Sequence, residues 1–153
     1  MNPVTAAHIH LILCHIPAVV MLLGFGVLAF GWLRRNPEVQ NVAVAMFIFA
    51  ALVAVPLYLT GGHALGIIKG LPGTSDRVLE RHQAAAGITL AAAILLGVLA
   101  LAGAGLFRRR TLATWFNLLL LAGALVAGGL MIWTGGLGGQ IRHSEIRPDT
   151  VQP

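Results

Sequence analysis

HIHLILCHIPAVVMLLGFGVLAFGWLRR, residues 8–35, decides the fold. From His8 to Trp32 the stretch carries no aspartate, glutamate, lysine or arginine. It is long enough for a membrane helix, which needs about 20 mostly apolar residues. It stops at Arg34-Arg35-Asn36-Pro37, where charge and a proline close the span. The same pattern recurs three times. A second span runs from about Val39 to Thr60 and stops at Gly61-Gly62. A third runs from about His82 to Leu106 and stops at Arg108-Arg109-Arg110. A fourth runs from about Leu112 to Thr134 and stops at Gly135-Gly136. The turns Arg34–Glu38 and Phe107–Thr111 are short, so spans one and two form one helical hairpin and spans three and four another. The expected fold is all-α: a four-helix transmembrane bundle of two hairpins, with residues 1–153 as a single membrane domain.

Composition agrees with that class. The chain is 58% hydrophobic and 10% charged, with a mean hydropathy of +0.86. A soluble domain carries about 25% charged residues. The net charge of +5 does not point to nucleic acid, because the basic residues flank apolar spans and read as topology determinants. Trp32, Tyr58, Trp115 and Trp133 fall near span ends, where aromatic residues suit the membrane boundary. The single cysteine, Cys14, excludes an internal disulfide and a Cys-x-x-Cys-His site for covalent haem. The first apolar run is too long for a signal peptide and lacks a basic leader, so the first helix is expected to be retained.

Lysine and arginine tie in number across the two faces. Arg34, Arg35, Arg108, Arg109 and Arg110 crowd into very short turns. Lys69, Arg77, Arg81, Arg142 and Arg147 are spread among Asp76, Glu80, Glu145 and Asp149. Density in short turns assigns the first group to the cytoplasm. Both termini are then periplasmic, in a bacterial inner membrane.

All six histidines fall on the other side. His8, His10 and His15 open span one, His63 follows span two, His82 opens span three and His143 follows span four. Ionisable residues at membrane depth mark functional sites by default, and imidazoles gathered at one level suggest haem or a metal. His8 and His15 are seven residues apart and share a helix face. His10 points elsewhere. His15, two residues before Pro17, is the deepest. His82 is followed by Gln83-Ala84-Ala85-Ala86-Gly87, small residues that leave room for a flat macrocycle or for close helix packing.

Bis-histidine haem b suits facing helices of a four-helix bundle. His15 with His82 is the leading pair, with His8–His82 as the alternative and His63–His143 as a second pair. His10 is expected to matter least. A copper or zinc centre built from three or four of the same histidines is the other cofactor reading. An accessory subunit without cofactor is the third. Expected partners are membrane lipid, a quinol or partner subunit as electron donor, and a periplasmic redox protein as acceptor. No Ser-His-Asp set, phosphate loop or carboxylate pair supports hydrolysis. Asn117 is expected to hydrogen-bond between helices near the arginine face.

A weak repeat relates the halves. His8 to Arg34 and His82 to Arg108 each span 26 residues (34 − 8 and 108 − 82), and Thr60-Gly61-Gly62 matches Thr134-Gly135-Gly136. Duplication or chance would give such a match; duplication would make the hairpins parallel repeats with spans one and three on a diagonal.

The opening His10-Leu11-Ile12-Leu13-Cys14-His15-Ile16-Pro17 resembles the His-x-x-x-x-His-x-Pro start of an uncharacterised four-helix bacterial membrane family, a domain of unknown function. Arg81-His82 and the glycine-rich end Gly135-Gly136-Leu137-Gly138-Gly139-Gln140-Ile141-Arg142-His143 also resemble it. The resemblance covers most of the chain and departs at Ile141–Glu145. It implies the fold and the membrane location, singles out His10, His15, His82 and His143, and leaves the activity open. The architecture is also similar to small b-type cytochromes, which place haems toward both membrane faces, whereas this chain offers ligands at one.

Overall fold

The computed structural model describes residues 2–107 and 110–147. Arg108 and Arg109, and the tail at 148–153 with Asp149 and Pro153, lie outside the described residues. The protein is an all-α bundle of α1 (Pro3–Leu13), α2 (Ile16–Leu33), α3 (Pro37–Ile68), α4 (Asp76–Leu106) and α5 (Thr114–Arg142), with a 3-10 turn at Ser144–Ile146. The segment Val4–Leu33 and each of α3, α4 and α5 are long and apolar enough to cross a membrane. The packing closes into a ring: α2 lies on α3, α3 on α4, α4 on α5 and α5 on α2, while α1 leans on α3. Phe47, Met21, Leu28, Leu96 and Leu120 fill the centre. Small residues let backbones approach, as packing in lipid requires; a β-carbon at Gly97 of α4 would fall 2.5 Å from that of Ala51 on α3.

Local sequence explains the turn between α2 and α3. The Asn36 carboxamide oxygen accepts from the N–H groups of Glu38 (2.9 Å) and Val39 (3.2 Å), and Pro37 opens the helix where no N–H is needed. Arg35 takes a left-handed conformation, φ 51°. That lets the N–H of Asn36 reach the Gly31 carbonyl at 2.9 Å and the N–H of Arg35 reach that of Trp32 at 3.1 Å, the paired bonds that end a helix in this way.

The helices outrun the apolar spans. Gly61-Gly62 does not stop α3, which continues to Ile68, and Gly135-Gly136 does not stop α5, which continues to Arg142. An interior glycine costs only about 1 kcal/mol, which neighbouring packing can offset. α4 begins at Asp76 rather than His82, and α5 at Thr114 rather than Leu112. The stretch between the second and third apolar spans is therefore mostly helical, and only residues 69–75 form the loop, with Gly70 and Gly73 at positive φ. Hydropathy marks the hydrocarbon-facing part of a helix and is blind to its continuation into the headgroup layer.

Span one departs in the opposite sense: it is broken at Cys14-His15. Pro17 has no N–H for the Leu13 carbonyl and its ring crowds that turn. Pro56 inside α3 causes no break, and the Thr60 hydroxyl donates to the carbonyls of Pro56 (2.7 Å) and Leu57 (3.0 Å) across that turn.

Buried Gln40 joins the hairpins at the arginine face. Its carboxamide N–H donates to the Gly31 carbonyl at 3.4 Å, and its oxygen accepts the Leu112 N–H at 2.8 Å. Asn117, expected to bond between helices, donates instead to the carbonyls of Leu112 (2.9 Å) and Ala113 (3.3 Å), just before its own helix. It lies one turn into that helix, within reach of the carbonyls of the segment that leads into it.

Candidate functional site

Two of the six histidines are built into the bundle. His10 of α1 is half-buried and its Nδ1 lies 3.0 Å from the Leu57 carbonyl of α3. His82 of α4 is half-buried and its Nδ1 lies 3.0 Å from the Thr134 carbonyl of α5. A carbonyl only accepts, so Nδ1 carries the proton in both rings. The neutral ring then has its lone pair on Nε2, the nitrogen that a metal would use.

The two anchors are built alike. Each histidine comes from the first helix of its hairpin and bonds a carbonyl of the second. Each ring also rests on a glycine four residues beyond that carbonyl. A β-carbon at Gly61 would fall 2.9 Å from Cε1 of His10, and one at Gly138 would fall 3.2 Å from Cε1 of His82. In a helix the side chain at i+4 shields the carbonyl at i, so a glycine there bares a lone pair to an outside donor. Leu57 with Gly61 and Thr134 with Gly138 keep the same spacing. Hydroxyls stiffen both turns. Thr60 caps the Leu57 carbonyl, and the hydroxyls of Thr89 and Thr134 meet at 2.8 Å in a buried contact between α4 and α5. The structural correspondence therefore matches His10, not His8, with His82.

The anchoring carbonyls lie about one membrane thickness from the opposite starts of their helices. From Asn36 to Leu57 and from Ala113 to Thr134 the chain advances 21 residues (57 − 36 and 134 − 113). At ~1.5 Å per residue this is roughly 32 Å, close to the ~30 Å hydrocarbon thickness.

The other four histidines lie apart from this pair. His15 is exposed at the α1–α2 break, and His8 is exposed one face-repeat above it. Neither side chain makes a hydrogen bond to a described residue. The expected depth and inward placement of His15 assumed one straight helix, and the break at Pro17 removes that assumption. Their shared face points outward, and His10, which points elsewhere, is the inward one. His63 is exposed and its Nδ1 lies 2.8 Å from the Leu59 carbonyl of its own helix. His143 is exposed and pairs with the Glu145 carboxylate at 2.7 Å. The Glu145 carboxyl is held below its usual range, first by a backbone N–H and then by His143. His63 and His143 thus engage local partners rather than each other. Among the described residues no three of histidine, cysteine, aspartate and glutamate gather as a metal-holding group. A three- or four-nitrogen copper or zinc centre is not assembled there.

Arg147 ties this end of the bundle together. Its guanidinium donates to the carbonyls of Gln140 (2.8 Å), Ile141 (3.0 Å) and Gly73 (2.6 Å), joining the segment after α5 to the α3–α4 loop. Sequence reasoning passed over Gly61 and Gly138 as ring cradles; the signal was a glycine one turn beyond a carbonyl opposite a histidine.

His10 and His82 are thus the two imidazoles held against neighbouring helices, each anchored through Nδ1 and each resting on a glycine. Comparison with protein-family models, curated proteins and solved structures gave no match.

Proposed function

We propose that the chain is a b-type haem protein of the bacterial inner membrane that carries electrons at its histidine-bearing, periplasmic face, with His10 and His82 as the axial pair. One observation carries the reading: two imidazoles, one from each hairpin, share an Nδ1–H···O=C anchor on a carbonyl of another helix, which leaves Nε2 of each available to a ligand. The haem, when bound, would supply one-electron chemistry. The chain's part is positional. The Leu57 and Thr134 carbonyls fix the tautomers and make each ring a stronger ligand. Thr60, Thr89 and Thr134 hold the turns that bear those carbonyls. Apolar helices around the rings keep the local dielectric low, which favours a less charged centre.

The level of the pair, at the membrane boundary, suits transfer from a membrane quinol or a partner subunit to a periplasmic redox protein. The orientation rests on the arginine-dense short turns. The opening motif supports placing the chain with the four-helix family it resembles.

The test is a reduced-minus-oxidised absorption spectrum of protein purified from haem-replete cells, with metal analysis of the same sample. A Soret band that sharpens and shifts on reduction, with one iron per bound haem, is the expected result. Colourless protein with stoichiometric copper or zinc would replace the haem reading by a non-haem metal site. Protein with neither haem nor metal would leave an accessory subunit.

A further inference from the structure

At the end opposite the histidines, a cavity of about 590 Å³ opens between the two hairpins. This is within the ordinary size range of small-molecule sites. One wall is apolar, formed by Trp32, Leu33 and Leu112; the other is polar, with Arg35, Thr111, Thr114 and the buried Gln40. Leu33 is 78% exposed at the end of α2, so the apolar wall is open at the bundle's surface.

The polar wall has one sign. Among the described residues neither Arg35 nor Glu38, the nearest acid along the chain, makes an ion pair, and Glu38 is exposed. Arg34, its neighbour, lies over the Phe30 ring instead, 5.9 Å from the centroid. The hydroxyls of Thr111 and Thr114 add donors. α5 also starts here without a side-chain cap, and the N–H groups of Thr114 and Trp115 meet no acceptor among the described residues. The sequence adds Arg110 in the same turn. Guanidinium, hydroxyl and free amide donors beside an apolar wall match a phosphate ester attached to an acyl chain.

We infer that this cavity binds the headgroup phosphate of an anionic phospholipid, with Arg35 as its principal ligand. The occupant bridges the same hairpins that Gln40 joins. A free phosphate would satisfy the donors but leave Trp32 and Leu33 unmatched. A lipid satisfies both walls at the membrane boundary, where anionic headgroups concentrate.

Native mass spectrometry of the full chain in neutral detergent tests this, with phosphatidylglycerol, phosphatidylcholine and inorganic phosphate as separate probes. Phosphatidylglycerol should stay bound to the wild type, and phosphatidylcholine should not. Arg35→Gly suits the left-handed turn without strain, so the helix ending survives while the guanidinium is lost. It should weaken phosphatidylglycerol binding roughly tenfold, as loss of a charge-assisted contact does, while Arg34→Gln leaves it unchanged. Equal retention by Arg35→Gly and wild type overturns the assignment, as does equal retention of the two lipids. Inorganic phosphate bound in an Arg35-dependent way, with no phosphatidylglycerol retained, also overturns it and identifies a free-anion site. The outcome does not depend on the haem, so it stands or falls separately from the function proposed above.

Discussion

His10 and His82 differ from the other histidines in what their second ring nitrogen does. Each spends Nδ1 on a carbonyl of another helix, whereas His63 and His143 bond within their own segments. His10→Ala and His82→Ala should each abolish or sharply change the haem spectrum. His8→Ala, His15→Ala, His63→Ala and His143→Ala should leave it within error. An unchanged spectrum in both of the first two variants would reject the axial assignment. A second residue-scale prediction concerns Arg35. Its φ of 51° is unfavourable for any residue with a β-carbon, by about 1–2 kcal/mol. Glycine is free of that strain but loses more entropy on folding. Arg35→Gly should therefore stabilise lipid-free protein by about 0.5–1 kcal/mol, read by thermal or denaturant unfolding in detergent. A lower unfolding temperature would mean that the guanidinium contributes more to the bundle itself than the turn costs.

Helices here meet through missing side chains. Gly61 and Gly138 matter because a methyl group at either would enter a histidine ring's space, at 2.9 and 3.2 Å from Cε1. Gly61→Ala and Gly138→Ala should displace those rings and shift or broaden the haem bands, while overall helicity by circular dichroism stays constant. Gly62 and Gly135, whose added β-carbons would meet open space, serve as controls; equal spectral effects at all four positions would dissociate the glycines from ring placement. Gln40 acts between elements. Gln40→Leu leaves the buried Leu112 N–H without its acceptor, which costs about 1–3 kcal/mol. An unfolding free energy unchanged from wild type would show that the amide finds water instead.

At the scale of the molecule, the ring of α2, α3, α4 and α5 places the α2–α3 turn and the α4–α5 linker at one end and the α3–α4 loop at the other. Reporter fusions at Asn36 and Thr111 should share one side of the membrane, the cytoplasmic one, and a fusion at Pro72 should report the opposite side. Asn36 and Pro72 on the same side would reject the bundle's topology. The construction also explains how the two halves resemble each other. Each contributes one histidine, one bared carbonyl and one glycine, arranged alike although the sequence spacing differs: His10 and His82 are 72 residues apart, Leu57 and Thr134 are 77 apart.

The number of spans, their hairpin pairing and the face that gathers the histidines were legible in the sequence. Apolar length and the charge of short turns are local quantities fixed by the bilayer's thickness and dielectric. The end of each helix was less legible, because glycine pairs that look like stops sit inside helices held by neighbours. Which histidines face inward was not legible. The spacing of His8 and His15 established a shared face but not its direction. Pro17 breaks the helix there, and only the packing of α1 on α3 turns His10 toward a carbonyl 47 residues away. Sequence determines what each segment can be. Tertiary structure decided which ring meets which carbonyl, because that depends on the rotation of one helix against another, and no local pattern encodes it.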